Sequence, residues 1–302
     1  MDVTDRHCRF LLRQVNSRAR LYTEMITTGA LLHGDVPRHL EFNNEEHPVA
    51  LQLGGSEPAE LAHCARLGEL YGYDESNLNI GCPSERVQRG AFGACLMAEP
   101  QLVARCVSAI KQEVSIPVTV KHRVGIDKIE DYSFVRDFVG TVAQAGCRAF
   151  VVHARNAVLK GLSPKENREI PPLRYDYVYR LKRDFPALEI VINGGITSKE
   201  QIQEQLAHVD GVMIGRAAYS NPWFLADPGK TRAEVVHTMV GYARRQESLR
   251  HVTRHMLGLY HAHPRARLWR RMLSDPVEPS RNDAGLLLRA LEMVEGQIAQ
   301  AA

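Results

Sequence analysis

No stretch of this 302-residue sequence strings together the ~18 apolar residues that a membrane-spanning helix needs, and no signal-peptide pattern opens it. These absences set aside a helical membrane protein and point to the cytoplasm. Cysteine is sparse: Cys8, Cys64, Cys82, Cys95, Cys106 and Cys147 are scattered, with no CxxC pair. That excludes a disulfide scaffold and a structural zinc site, so reduced thiols and no metal are expected. No GxGxxG follows an apolar strand to open a helix, which weakens a dinucleotide-binding Rossmann sheet. Acids are missing locally: residues 250–271, "RHVTRHMLGLYHAHPRARLWRR", hold six arginines, four histidines and no carboxylate. From Thr231 onward eleven arginines face seven acids, so the net charge of +3 lies in the tail. Such a run is most often a solvated face. With Tyr260 and Trp269 set among its arginines, it also has the character of a nucleic-acid surface.

Short apolar, β-branched runs recur at 19–25, 48–55, 77–81, 117–125, 149–155, 189–195 and 211–217. Helical patterns lie between them at 58–71, 101–113, 130–146, 174–184 and 198–207. This alternation predicts parallel strands joined by crossover helices. Gln52, Asn79, Lys121, His153, Asn193 and Arg216 end or nearly end successive strands, with Cys82 just beyond one of them. A (β/α)8 TIM barrel with its site at the carboxyl face is therefore the expected fold. Seven strands can be found, not eight. The segment "MDVTDRHCRF" reads as a loop entering a helix capped by Thr4 or Asp5, so the first strand is expected upstream of Met1. After Tyr219 the pattern is helical, with breaks near Pro264 and Pro276. The boundary is placed near residue 228, in "DPGKT", giving a catalytic barrel over 1–228 and a helical domain over 229–302.

Two cysteines flank a run of small residues in "NLNIGCPSERVQRGAFGACLM", residues 77–97. Gly81 and Pro83 stop a strand in which Leu78 and Ile80 are inward candidates, leaving Cys82 beyond its end. Cys95 stands beside Leu96 and Met97, where a helix could begin. A free cysteine is usually a small buried hydrophobe, and a polar strand end usually meets water or a loop. What distinguishes this set is its convergence on one barrel mouth. "INGGI" (192–196) and "MIGRA" (213–217) suit the phosphate site that barrels build after their last two strands: glycine lets backbone N–H groups approach, and arginine supplies a bidentate cation.

The motifs "LNIGCPSERVQRGAFGACLM", "VTVKHRVGID", "VVHARNAVLKGLSPKENREIPPL", "VINGGI", "DGVMIGRAAYSNPW", "VTRHMLGLY" and "RARLWRR" resemble the tRNA-dihydrouridine synthases, A-type subfamily, over essentially the whole chain. The resemblance implies an FMN-bearing barrel, a helical tRNA-binding domain, and NADPH-driven reduction of uridine at D-loop positions 20 and 20a. It assigns the proton donor to Cys82. The flavin ligands fall on Gln52, Lys121, His153, Asn193, Gly194, Gly195, Gly215 and Arg216. Asn79 matches a residue beside the target base, and Lys165, Arg168, Arg267 and Arg270 match positions that contact tRNA. The expected protein is a monomer with tRNA as its partner and no membrane association. The first strand of the family's barrel and part of the link between its domains are absent from this sequence.

The implied chemistry suits these residue types. Hydride added at C6 of uracil leaves an enolate that must be protonated at C5. The thiol is needed for this, not the thiolate, and an ordinary cysteine, with pKa ~8.5, is mostly protonated near pH 7. Lys121 can stabilise negative charge on a reduced flavin. An unpaired D-loop uridine is already close to the splayed state such a site needs. Two rivals remain at this stage: a flavin barrel acting on a free pyrimidine, as dihydroorotate dehydrogenases do, and an RNA-binding module without flavin.

Overall fold

The computed structural model describes residues 3–275, 277 and 279–296. Met1 and Pro276, invoked above, lie outside the described residues. Helices of seven or more residues are α1 (Arg6–Val15), α2 (Pro58–Tyr71), α3 (Pro100–Glu113), α4 (Tyr132–Gln144), α5 (Tyr175–Asp184), α6 (Lys199–Leu206), α7 (Arg232–Ala243), α8 (Leu249–Met256), α9 (Ala266–Ser274) and α10 (Gly285–Leu291). The strands are β1 (Leu21–Thr27), β2 (Val49–Gly54), β3 (Glu75–Ile80), β4 (Val118–Arg123), β5 (Ala149–His153), β6 (Glu189–Asn193) and β7 (Gly211–Met213).

The strands form one sheet in the order β1-β2-β3-β4-β5-β6-β7. The registered pairs from β2 to β7 are all parallel. Each strand takes its place beside its predecessor, with a helix between most pairs: the β/α barrel architecture that the alternation predicts. β1 and β7, the outermost expected strands, are the end strands of the sheet. α2 matches its expected range, and the other predicted crossover helices start or stop within two residues of theirs. β7 is shorter than expected, because a short helix, Arg216–Ser220, starts almost at once. No helix among the described residues is long and apolar enough to cross a membrane.

The chain divides into two compact units, and their bounds differ from the expected 1–228 and 229–302. One unit, Tyr22–Phe42 and His47–Ile214, holds nearly the whole sheet. The other takes the chain from Gly215 onward, together with the segment up to Leu21 and Asn43–Glu46. The physical reason is burial. Phe10, Leu11 and Val15 of α1 belong to the same apolar cluster as Val236, Met239, Val252, Trp269 and Leu287. Phe10 stacks on Tyr242 at 4.0 Å between ring centroids. Asp5, rather than Thr4, caps α1 by accepting from the N–H groups of His7 and Cys8 (3.0 and 2.9 Å), and its carboxylate also meets His255 and Arg254 of α8. Arg9 pairs with the fully buried Glu46 at 2.5 Å.

Candidate active site at the strand ends

Strand alternation decides which side chains share a face. In β4, Lys121 and Arg123 project to one side while His122 goes to the other, against Phe138 of α4 and Phe150. Burial holds the His122 imidazole down at about 4, so it is a neutral packing residue. In β3, Glu75, Asn77 and Asn79 share a face, with Leu78 and Ile80 on the other; all six residues of the strand are buried. The pairing register sets Gln52 beside Asn77, Asn79 beside Lys121, and Arg123, His153, Asn193 and Met213 in one row.

Two cations of this face have no carboxylate partner among the described residues. Arg123, 3% exposed, donates instead to three backbone carbonyls: Gly81 (3.1 Å), Asn156 (3.3 Å) and Asn167 (2.9 Å). Desolvation, with the charges of Arg123 and Arg168 adding to it, pushes the Lys121 amine down to about 8. Arg123 itself is lowered to about 10, again mainly by desolvation. A carbonyl-lined, carboxylate-free cation pair is an anion site in waiting. Arg123 carried no role in the sequence reading. Its signal was there, as the second cation of a K-x-R pair that a strand must send to one side.

Cys82 is half-buried at the end of β3, and its Sγ lies 3.6 Å from Ser84 Oγ as a thiol donor. Its carbonyl accepts from Ala94 N–H (3.0 Å), which folds the segment 82–94 back on itself. Cys95 lies within the 3-10 turn Gly93–Ala98, its Sγ 3.2 Å from the Phe92 carbonyl, and burial raises its thiol pKa. Burial pushes Cys64 and Cys106 up to about 11 and Cys147 to about 12, so these are inert thiols. All six cysteines are free.

At the end of β6 the Asn193 amide donates to the Met213 carbonyl (2.8 Å), and Tyr175 donates to Gly194 O (2.6 Å). Gly194 and Gly195 have φ of 111° and 75°, where side chains are strained. A Cβ on Gly194 would also stand 2.7 Å from the His153 ring. The backbone is thus bare of side chains where the sequence predicts a phosphate cradle. Gly215 and Arg216 begin the short helix of the other unit. Beside β1 and β2, a cavity of about 550 Å³ is lined by Thr27, Gly54, Gly55, Glu60 and Phe92, but by none of the predicted flavin ligands.

Lys165 and Arg168 are exposed on the segment after β5. That segment is pinned by Asn167, fully buried, which bonds Val158 through both its N–H and its carbonyl and reaches the carbonyls of Leu162 and Ser163. In the other unit, Arg267, Arg270 and Arg271 are exposed on α9 at the i, i+3, i+4 spacing of one helix face. Tyr260 and Trp269 are not on that surface. Both are fully buried, with the Trp269 indole donating to the Met256 carbonyl (2.8 Å) and the Tyr260 hydroxyl to Glu295 (2.5 Å). The aromatic part of the nucleic-acid argument therefore falls, and only the exposed arginines are left to carry it.

A parallel sheet of strand-helix units, gathering a thiol, two cations, amides and bare glycines at one set of strand ends, defines an enzyme of the β/α-barrel class. The chain belongs to the dihydrouridine synthase (Dus) family, whose model matches residues 1–295. It is 56% identical over 308 residues to a Synechocystis sp. protein named tRNA-dihydrouridine(20/20a) synthase, covering 97% of this chain and 92% of that one. Proteins of the same name from Shewanella oneidensis (57% identical; 95% and 89% covered) and Salmonella typhimurium (55%; 97% and 93%) are similarly related. Among solved structures, a 2-naphthoyl-CoA reductase complex superposes with a TM-score of 0.53 at 11% identity, over 74% of this chain. This chain spans 46% of that one, and the likeness bears on the fold alone.

Proposed function

We propose that this protein reduces uridine to 5,6-dihydrouridine at positions 20 and 20a of the tRNA D-loop, as a cytoplasmic monomer using FMN and NADPH. The observation that carries the reading is the half-buried Cys82 at the end of β3, with Arg123 donating to the carbonyl of its neighbour Gly81 (3.1 Å) and Lys121 beside Asn79 in the strand register. The residues present suit a flavin: cations without carboxylates for an anionic isoalloxazine, and a glycine backbone for its phosphate. Lys121, His153, Gln52, Asn193, Gly194 and Gly195 would hold it, with Gly215 and Arg216 as further ligands. When bound, FMN would supply the hydride for C6 of uracil and be re-reduced by NADPH.

The chain's own contribution is acid catalysis and binding. Cys82 gives its proton to C5, and the thiolate left behind is stabilised by Lys121 and Arg123. Asn79 stands beside the base. The arginine face of α9 and the Lys165 and Arg168 segment contact phosphates, which fix the substrate without reading its sequence.

The test is dihydrouridine formation on unmodified tRNA. Cys82→Ala should keep flavin and tRNA binding but lose about 10²-fold or more in turnover, the usual loss for a general acid, while Cys95→Ala stays near wild type. Full turnover by the Cys82 variant, or loss confined to the Cys95 variant, would reject the assignment.

A further inference from the structure

One directed hydrogen-bond chain runs through the face shared by β2, β3 and β4. It begins with two backbone donors, the N–H groups of Gly81 and Cys82, both pointing to Asn79 Oδ1 (3.0 and 3.1 Å). Asn79 Nδ2 then donates to Gln52 Oε1 (2.8 Å), and Gln52 Nε2 donates to Asn77 Oδ1 (2.9 Å). Asn77 Nδ2 donates to Thr119 Oγ1 (2.7 Å), whose hydroxyl donates to Glu75 Oε1 (2.5 Å). The Tyr22 hydroxyl reaches the same Glu75 oxygen at 3.1 Å. Glu75 and Asn77 are fully buried, and Gln52 and Asn79 are 9% exposed.

The sense of this chain is fixed from both ends. A backbone N–H cannot accept, so Asn79 must turn its oxygen toward Gly81 and Cys82. The Glu75 oxygen accepts from two hydroxyls, so Thr119 must receive its own bond from Asn77 Nδ2. Each end dictates the same orientation for the three amides between. Turning one over would set donor against donor or acceptor against acceptor in a buried site. With its oxygen filled twice and one N–H spent on Gln52, Asn79 has a single N–H left for a ligand.

We propose that Glu75 is a positioning residue: from the far end of the chain it holds Asn79 with an N–H, not an oxygen, toward the substrate base. The inference rests on the proposed reading that uridine is reduced beside Cys82. An N–H meets the carbonyl edge of uracil favourably and opposes the exocyclic amino group of cytosine, so the chain acts on base choice. Glu75 needs no contact with the base to do so.

Three variants test it in the full-length protein. Glu75→Met keeps the volume and removes the acceptor; Thr119→Val cuts the next link; Glu75→Gln keeps an oxygen that can accept from Thr119. One readout is hydrogen exchange of the side-chain amides of Asn77, Gln52 and Asn79, followed by NMR without flavin. A second is the affinity ratio for tRNA carrying uridine or cytidine at the target position. Glu75→Met and Thr119→Val should speed amide exchange and lower the uridine preference by about tenfold, the weight of one buried hydrogen bond. Glu75→Gln should restore both. Wild-type exchange and preference in Glu75→Met and Thr119→Val would overturn the proposal. If Glu75→Met fails to fold, Thr119→Val decides. If the wild-type protein forms no dihydrouridine, the functional reading fails on its own, and the exchange rates still judge the role of Glu75.

Discussion

A Cβ placed on Gly93 would stand 2.6 Å from the carbonyl oxygen of Cys82, which already accepts the Ala94 N–H. The Cys82 backbone is thus clamped by a glycine eleven residues further on, with φ of 75°. Gly93→Ala should cost about 1–2 kcal/mol in left-handed strain and displace the segment carrying Cys82. The expected outcome is a lower melting temperature together with a turnover loss at unchanged tRNA affinity. Gly241→Ala on α7, where a Cβ meets nothing within 4 Å, is the contrasting case: alanine favours a helix interior, so the melting temperature should rise slightly with turnover unchanged.

The depressed Lys121 gives the anion site a pH dependence. Its amine carries a proton below about pH 8 and loses it above. Binding an anionic group that needs the ammonium therefore requires proton uptake above pH 8. FMN affinity should be flat from pH 6 to 7.5 and fall by up to about tenfold per pH unit above 8. Lys121→Met should bind more weakly with no such break. Titration of flavin fluorescence across pH checks both, and a break shared by the Met variant would assign the dependence to another group.

Arg267 and Arg270, on the exposed face of α9, should each account for a phosphate contact. Each Arg→Ala change is expected to reduce the log–log salt slope of tRNA binding by roughly 0.7 to 0.9. Flavin content should not change. Unaltered slopes in both variants would remove α9 from the binding surface. Trp269→Ala is the contrasting case: buried in the same helix, it should cost about 3–5 kcal/mol of stability.

Asn167 predicts a local effect. Asn167→Ala removes bonds that tie Val158, Leu162 and Ser163 together, so hydrogen exchange should rise across residues 158–170. Affinity for tRNA should fall with it, since Lys165 and Arg168 lose their support. Dihydrouridine formation at saturating tRNA should fall less than the affinity does, and only as far as loosening the Asn167 carbonyl that accepts from Arg123 (2.9 Å) disturbs that guanidinium.

The strand order and crossover helices were legible because each element carries its own periodicity, as Pro58–Tyr71 shows. β3 was read from residue 77, two residues late, because Glu75 and Ser76 are polar and a sequence pattern gives no sign that they are buried. The amide chain was invisible for the same reason: Gln52 and Asn79 stood out as strand-end residues, but nothing local links them to Thr119 or Glu75. The side to which α1 belongs could not be read at all, since its apolar partners lie more than 200 residues away. Tyr260 and Trp269 misled because a basic neighbourhood looks alike whether its aromatics face water or the core.

That distance orders events during synthesis. The sheet can grow as the chain emerges, each strand finding its neighbour already made. Phe10, Leu11 and Val15 cannot be covered until Val236 and its neighbours appear. At ribosomal speeds of about 5–20 residues per second, that interval is on the order of 10–40 s. The apolar face of α1 therefore stays uncovered long after it is made, so α1 is a segment that a holdase chaperone would be expected to cover.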